Sequence, residues 1–304
     1  MNTMTTAERR GYQMICDETG FMIVVACDQR GGMRSLLAET PEEQQKISNQ
    51  TLGQTKYDIT RYLASEAGCV LIDPICAIPG IVDEGIISRH TGLLVGLDAS
   101  GWDISSQGYR LSKMVDGVNA RKVREAGATG GKIMIYLRPD LPSANTANLD
   151  ILREVIADFS GENLFLVVEF LVYPLEGESQ DEFLIKFPEL IKQGCRLCIQ
   201  SGAKVLKIPY PGSAKACIDV TKICGDIPWA VLSAGVDHAT FLEQVEICLQ
   251  NGASGIIAGR SLWKDCISLD PEVSKQRLSS IALSRLQELQ QLLIKYSKYP
   301  FHAV

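Results

Sequence analysis

Eight short runs rich in Val, Ile and Leu recur along this chain, and segments with helical spacing of apolar residues lie between them. The runs are Phe21–Cys27, Cys69–Asp73, Gly92–Leu97, Lys132–Leu137, Leu164–Phe170, Lys204–Ile208, Trp229–Ala234 and Gly255–Gly259. Most are apolar nearly throughout, which is typical of parallel strands buried on both faces. Eight such β-then-α units predict an α/β fold, a single (β/α)8 TIM barrel domain spanning residues 1–304.

The segments between the runs are predicted to be helices. They are Pro41–Ala67, Ser112–Ala126, Leu149–Phe159, Asp181–Gly202 and Ala239–Asn251. Thr40 is a candidate N-cap, and Glu43 three residues later completes a capping box. The last segment, Pro271–Lys298, is amphipathic and longer than barrel closure requires. This extended C-terminal helix is expected either to cover the barrel or to join a neighbouring subunit in a homo-oligomer.

A doubly wound open sheet is the competing fold. That fold usually places a glycine-rich phosphate fingerprint after its first strand. Here the first strand leads into Cys27-Asp28-Gln29-Arg30-Gly31-Gly32, which is polar and charged. The barrel is therefore the favoured interpretation.

Charge and cysteine usage exclude several classes of protein. The net charge of −6 provides no overall field that would draw the chain to nucleic acid or to an anionic membrane. No apolar run approaches the roughly 20 residues that a membrane-spanning helix needs. Met1–Met14 is polar and charged, unlike a secretory signal, and the ten cysteines show no framework spacing. We expect a cytoplasmic protein with free thiols, in which Cys195 and Cys198 share a helix.

Lys207 lies inside an apolar run that reads as a buried strand. A lysine seldom occupies such a position without a task or a partner. Burial favours the neutral amine, which is a nucleophile toward carbonyl groups. The alternative is a lysine whose stem is buried while its ammonium group reaches water or a carboxylate.

Two more ionisable residues lie in neighbouring runs: Lys132 in the fourth and Glu169 in the fifth, next to Lys207 in the sixth. Inward-facing residues of alternate barrel strands share a layer, so the two lysines are expected to be close. A second cation would favour the neutral form of Lys207, and Glu169 could neutralise a lysine or transfer protons. A purely structural ion network is the alternative.

The ends of the seventh and eighth runs predict an anion site. Ser233, Gly235, Gly259 and Arg260 place small residues and one guanidinium where this fold usually binds phosphate. Arg30 and Arg138 end the first and fourth runs and are candidates for a second anion at the other end of a substrate. A phosphorylated carbonyl compound is the predicted substrate class.

Metal chemistry is the rival mechanism. The three histidines, His90, His238 and His302, show no metal-ligand spacing. A Mg²⁺ ion on carboxylates is an alternative, with Asp28, Asp73 and Glu169 as its ligands. Such an ion would leave the buried lysines unexplained, so no metal and no cofactor is predicted.

Several ordered motifs resemble the tagatose 1,6-bisphosphate aldolase family, which includes sulfofructosephosphate aldolase. They are Cys27-Asp28-Gln29-Arg30-Gly31-Gly32-Met33-Arg34, Lys207 in its strand, Trp229-Ala230-Val231-Leu232-Ser233-Ala234-Gly235-Val236-Asp237 and Gly252-Ala253-Ser254-Gly255-Ile256-Ile257-Ala258-Gly259-Arg260-Ser261-Leu262-Trp263. The similarity runs from about Gly20 to Trp263. The family commonly has a carboxylate two residues after the lysine, where this chain has Pro209. Arg138 resembles the sulfosugar branch of the family, whereas the stretch from Thr91 resembles the tagatose branch. Both branches therefore remain open for this chain.

The resemblance implies a metal-free class I (Schiff-base) aldolase on a (β/α)8 barrel. It implies that Lys207 forms the imine, while Lys132 and Glu169 transfer protons and position the substrate. The turn with Asp28, Gln29 and Arg30 would contact the far end of the substrate. The dihydroxyacetone phosphate end would bind at a set of four residues. These are Ser233, Gly235, Gly259 and Arg260.

The hypothesis is reversible cleavage of a ketose 1-phosphate that carries a second anionic group. The predicted partner is thus a small phosphorylated or sulfonated sugar, with neither nucleic acid nor membrane. A metal-dependent enolate lyase and a non-catalytic barrel that binds sugar phosphates remain the alternatives.

Overall fold

The structure of the chain is a computed structural model that describes residues 3–296. Its strands are β1 (Met22–Cys27), β2 (Cys69–Ile72), β3 (Gly92–Gly96), β4 (Asp98–Ile104), β5 (Arg110–Met114), β6 (Gly130–Leu137), β7 (Phe165–Val172), β8 (Leu206–Pro209), β9 (Trp229–Leu232) and β10 (Gly255–Ala258). Eight of them close into a barrel in the order β1-β10-β9-β8-β7-β6-β3-β2, and each pairing is parallel. The predicted barrel is confirmed, and each predicted run contributes one of its strands.

Helices precede, connect and follow the barrel strands. They are α1 (Thr6–Met14), α2 (Gly31–Leu37), α3 (Pro41–Lys46), α4 (Asn49–Leu63), α5 (Gly80–Asp83), α6 (Ala120–Glu125), α7 (Pro142–Gly161), α8 (Gln180–Gln200), α9 (Ala214–Cys224), α10 (His238–Gln250), α11 (Arg260–Trp263), α12 (Pro271–Arg277) and α13 (Leu283–Tyr296). The capping box of Thr40 and Glu43 is confirmed. The helix expected from Pro41 to Ala67 is instead divided, because Ser48 caps a new helix by accepting a hydrogen bond from the N–H of Thr51.

The predicted helix Ser112–Ala126 is wrong over its first half. Ser112 pairs with Trp102 in an antiparallel hairpin made of β4 and β5. The helix begins only after Asn119, whose side chain accepts a hydrogen bond from the N–H of Lys122. The hairpin follows β3 directly and therefore stands at the C-terminal end of the barrel.

The N-terminal helix α1 closes the opposite end of the barrel. The carbonyl of Ile15 accepts a hydrogen bond from the N–H of Ile23 at the start of β1. Gly11 lies against Phe165, the first residue of β7, so closely that a Cβ at Gly11 would lie 2.6 Å from the Phe165 Cβ. Tyr12 and Ile15, from α1 and its end, pack against the apolar residues inside the barrel and form one buried cluster with them.

The C-terminal helix covers the side of the barrel. The chain runs from α12 through a π-helical turn, Leu278–Ala282, into α13, which packs against α10 and α4. Leu286, Leu289 and Leu293 are completely buried within the chain itself. The predicted end of this helix, Lys298, lies outside the described residues.

All ten cysteines lie within residues 3–296, and all are free thiols. Cys195 and Cys198 are buried together on α8, as predicted. Within that same part of the chain, no helix is long and apolar enough to cross a membrane.

Candidate active site

Lys207, Glu169 and Lys132 meet inside the barrel, toward the C-terminal ends of its strands. Glu169 on β7 and Lys207 on β8 are register partners, and the Lys207 ammonium group donates a hydrogen bond of 2.8 Å to Glu169 Oε2. The Lys132 Nζ lies 3.4 Å from the same oxygen. Only 2 to 7% of each residue is exposed. The two lysines thus share one carboxylate, which is the proximity that the sequence predicted.

Three carboxylates surround Lys132. Its Nζ lies 2.7 Å from Asp28 Oδ2 and 2.6 Å from Asp98 Oδ1, in addition to its contact with Glu169. Burial alone would lower the pKa of Lys132, but these carboxylates outweigh burial and raise that pKa well above its usual value. Lys132 is therefore a permanent cation in the working pH range.

The pKa values of Asp28 and Asp98, the two carboxylates nearest to Lys132, shift in opposite directions. Burial acts to raise the pKa of Asp28, yet the ammonium groups of Lys132 and Lys207 hold that pKa below its usual value. Burial raises the pKa of Asp98. The ammonium group of Lys132 acts to lower that pKa, but repulsion by Asp28 and Glu169 raises it further, and the net shift is upward. Of Asp28 and Asp98, Asp28 is thus the carboxylate more firmly kept ionised beside Lys132.

Lys56 on α4 holds the turn that carries Asp28 and Gln29. Its completely buried ammonium group donates to the carbonyls of Cys27, at 2.5 Å, and Gln29, at 2.6 Å. The side-chain oxygens Asp28 Oδ1 and Gln29 Oε1 are buried without a hydrogen-bond partner among the described residues. Because buried polar atoms are normally paired, these two oxygens are acceptors still open to donor groups at the C-terminal end of β1.

Arg30 and Arg138, the two candidates for a distal anion, are already engaged within the protein. Arg30 donates to Asp73 at 2.5 Å and to the carbonyl of Asp98 at 3.1 Å. Arg138 is completely buried, and its five N–H groups donate to Asp140, the Tyr173 carbonyl and Glu178. The arrangement gives both arginines a structural role, and it does not support Arg138 as a substrate contact.

The predicted anion site lies at the ends of β9 and β10. Ser233 Oγ accepts a hydrogen bond of 3.4 Å from the N–H of Gly259, which joins the two strand ends. Gly235 has φ +83°, and a Cβ there would lie 3.2 Å from the Arg260 Cζ, so glycine lets the guanidinium lie against the backbone. The Arg260 guanidinium makes no hydrogen bond or ion pair with any residue in 3–296. Its donors are available to a ligand.

Asp98 was missed by the reasoning from sequence. It follows Leu97 at the end of the third apolar run, the same kind of position that singled out Asp28 and Asp73. That signal was present and could have identified it. Lys56 had no comparable signal, because a lysine in an amphipathic helix is ordinarily exposed.

The carboxylates proposed as Mg²⁺ ligands are neutralised by basic side chains. Asp28 and Glu169 contact Lys132, while Asp73 contacts Arg30. Over residues 3–296, no group of three or more His, Cys, Asp or Glu side chains is arranged to hold a metal ion. His302 lies outside the described residues.

Comparison with protein families identifies the family of this chain. The family model described as DeoC/LacD family aldolase matches residues 22–265, which is most of the chain and includes the whole barrel. This chain belongs to the DeoC/LacD aldolase family. It is accordingly an aldolase, an enzyme of the aldehyde-lyase class.

Two curated relatives cover nearly the full length. Tagatose 1,6-diphosphate aldolase 2 of Streptococcus agalactiae is 24% identical, over 95% of this chain and 96% of its own. Tagatose 1,6-diphosphate aldolase of Lactococcus lactis is 23% identical, over 96% of this chain and 97% of its own. The resemblance noted in the sequence motifs is thus confirmed at low identity.

Solved structures agree on the fold. A Schiff base-forming fructose-1,6-bisphosphate aldolase superposes with a TM-score of 0.62 at 21% identity, covering 93% of this chain and 98% of its own. At this identity the similarity supports the barrel architecture of this DeoC/LacD aldolase. The chemistry has to be argued from the residues themselves.

Proposed function

We propose that this aldolase works by the class I mechanism and reversibly cleaves a ketose 1-phosphate that carries a second anionic group. The products are dihydroxyacetone phosphate and an aldehyde that bears phosphate or sulfonate. Tagatose 1,6-bisphosphate and 6-sulfofructose 1-phosphate are the two substrate types that fit. The observation that carries the proposal is the buried contact of Lys207 with Glu169 beside the permanent cation Lys132.

In the first step, Lys207 passes a proton to Glu169 and attacks the C2 carbonyl of the sugar as a neutral amine. The 2.8 Å hydrogen bond between the two groups supplies the path for that proton. The carbinolamine then loses its C2 hydroxyl as water, and protonated Glu169 can return the proton that this departure needs. The product is a protonated imine on Lys207.

The imine acts as an electron sink when the C3–C4 bond breaks. A base removes the proton from the C4 hydroxyl, the C3–C4 electron pair moves into the imine, and the aldehyde leaves. Glu169, ionised again after the dehydration step, or a water that it orients is our candidate for that base. Protonation of the resulting enamine at C3 and hydrolysis release dihydroxyacetone phosphate and free Lys207.

Lys132 positions groups and stabilises negative charge in this scheme. Its charge is fixed by Asp28 and Asp98, so it can hold Glu169 at the reacting carbon without itself losing a proton. The phosphate at C1 binds at the predicted anion site, where Arg260 has free donors. The side chains of Asp28 and Gln29 accept hydrogen bonds from sugar hydroxyls through their unpaired oxygens. We also propose a cytoplasmic location and a homo-oligomeric assembly.

A turnover assay tests the function. Purified protein is given tagatose 1,6-bisphosphate, fructose 1,6-bisphosphate and 6-sulfofructose 1-phosphate, and dihydroxyacetone phosphate release is followed with and without a chelator. We expect turnover of at least one of these sugars, at a rate that the chelator leaves unchanged. Loss of activity with the chelator would favour the metal-dependent lyase. Saturable binding of the sugars without turnover would favour a non-catalytic barrel.

A further inference from the structure

Arg110, the first residue of β5, is stacked among aromatic rings at the C-terminal mouth of the barrel. Its guanidinium carbon lies 3.9 Å from the ring centroid of Trp102, 4.8 Å from that of Tyr173 and 5.4 Å from that of Tyr136. The N–H of Arg110 donates to the Tyr173 hydroxyl at 3.3 Å, which ties the hairpin to the end of β7. The position of this arginine is therefore well defined.

The guanidinium has no counter-ion in the part of the chain that the structure describes. Within residues 3–296 it makes no hydrogen bond and no ion pair, although Arg110 is only partly exposed. Stacking on aromatic rings uses the flat faces of a guanidinium and leaves the N–H groups along its edge available. An unpaired, face-stacked arginine suits bidentate binding of a phosphate, sulfonate or carboxylate.

The aromatic rings place Arg110 over the catalytic residues. Tyr136 lies on the same face of β6 as Lys132, because side chains two residues apart share a face. Tyr173 follows β7 on the face of Glu169. Met134 is the register partner of Glu169, and Tyr136 is one two-residue step, about 6.6 Å, closer to the mouth.

Electrostatics support the same placement. Burial raises the pKa of the Tyr136 phenol, Arg110 acts to lower it, and Asp98 and Glu169 act to raise it further. The Tyr136 phenol is thus close enough to be affected by both the Arg110 guanidinium, 5.4 Å from its ring centroid, and the site carboxylates. The strand order places Lys207 on β8 between the predicted anion site, at the ends of β9 and β10, and the Tyr136 and Tyr173 side of the barrel, on β6 and β7. A ketose joined to Lys207 through C2, with its C1 phosphate in the anion site, would therefore direct C4–C6 toward Arg110.

We propose that Arg110 binds the distal anionic group of the substrate and sets the preference for doubly anionic sugars. This inference rests on the proposed function and assigns to the hairpin a role that the sequence had given to Arg30 and Arg138. Those two arginines donate to Asp73 and Glu178 instead. Arg110 and Arg260 then hold the two anionic ends of one substrate.

The test compares a ketose 1,6-bisphosphate with the matching ketose 1-phosphate, which lacks the distal group. We expect Arg110→Gln to lower kcat/KM for the bisphosphate by about 10- to 100-fold, mainly through KM. The 1-phosphate should change by less than about threefold. Arg110→Lys, which keeps the charge but loses the planar fork, should fall between wild type and Arg110→Gln.

Lys113→Gln is the matched control, since it removes a cation from the same strand. Lys113 lies on the other face of the hairpin and pairs with Asp103 at 3.0 Å. Its loss should leave the preference for the bisphosphate unchanged. Equal loss of activity of Arg110→Gln toward both sugars, or a preference equal to that of Lys113→Gln, would overturn the proposal.

Borohydride trapping with dihydroxyacetone phosphate separates this inference from the proposed function. Dihydroxyacetone phosphate lacks the distal group, so wild type and Arg110→Gln should form the covalent adduct equally. An absent adduct in the wild type would refute the imine mechanism itself. Normal trapping with an unchanged substrate preference would refute only the role of Arg110.

Discussion

At the scale of single residues, the interior of this barrel is organised by charge compensation. Two lysines and three carboxylates lie together where little water reaches them, and such a group is tolerated only when its charges are paired. Within residues 3–296, Lys132 contacts all three carboxylates, whereas Lys207 contacts only Glu169. This difference in partners distinguishes Lys132, which three carboxylates hold, from Lys207, the lysine that we propose as the nucleophile.

Removing the cation tests that organisation. Lys132→Met leaves Asp28, Asp98 and Glu169 close together without their shared partner, and we expect a loss of unfolding free energy of about 3 to 5 kcal/mol at pH 7.5. In the wild type the pKa of Asp28 lies below its unfolded value, so ionised Asp28 stabilises the fold above about pH 4. That contribution is lost as the pH falls.

In Lys132→Met the pH dependence of stability has the opposite sign, because each buried carboxylate then prefers its protonated form. Urea denaturation of the wild type and Lys132→Met between pH 4.5 and 7.5 should show a gap between their unfolding free energies, and this gap should widen as the pH rises. A gap that stays constant over this range would contradict the assignment of Lys132 as the compensating cation. Lys113→Met is a suitable control, since Lys113 and its partner Asp103 are both exposed and pair at 3.0 Å, away from these carboxylates.

Charged residues inside apolar runs could be predicted from sequence, because they interrupt a pattern that otherwise reads as buried. Lys132, Glu169 and Lys207 were found in this way. The state of each arginine could not be predicted. Arg138 is neutralised by Glu178, 40 residues away, and only the folded chain shows that pairing.

At the scale of elements, continuous apolar runs predicted all the barrel strands, since such runs suit strands that are covered on both sides. The hairpin was missed because the apolar spacing of its second strand is ambiguous. Arg110–Met114 is held by Asp98–Ile104, while its apolar spacing with the following residues also fits a helix. The residue that we assign to the distal anion lies in this hairpin.

The N-terminal helix offers a test at this scale. Gly11→Ala improves the helix propensity of α1, yet the added Cβ would lie 2.6 Å from Phe165. We expect the variant to lose about 1 to 3 kcal/mol of unfolding free energy in urea denaturation. Gly161→Ala, at the end of α7 with open space around it, should cost nothing or stabilise slightly. A Gly11→Ala variant as stable as Gly161→Ala would contradict the proposed docking of α1.

At the scale of the whole molecule, the two ends of the barrel have different tasks. One end is closed by α1, and the other carries Lys207, the predicted anion site and the β4–β5 hairpin. The side is covered by α13, whose leucines are buried within the chain. The fold could be predicted because its period repeats eight times. The role of each barrel end could not be predicted, because it depends on contacts between residues that are far apart in sequence.

The most direct test of the central claim is reductive trapping of Lys207. Wild-type protein is incubated with dihydroxyacetone phosphate and borohydride, and the modified residue is identified by peptide mass mapping. We predict one adduct, on Lys207, and none in Lys207→Met, while Lys204→Met is labelled like the wild type. Failure of the wild type to form an adduct, or an adduct that maps to another lysine, would contradict the imine mechanism.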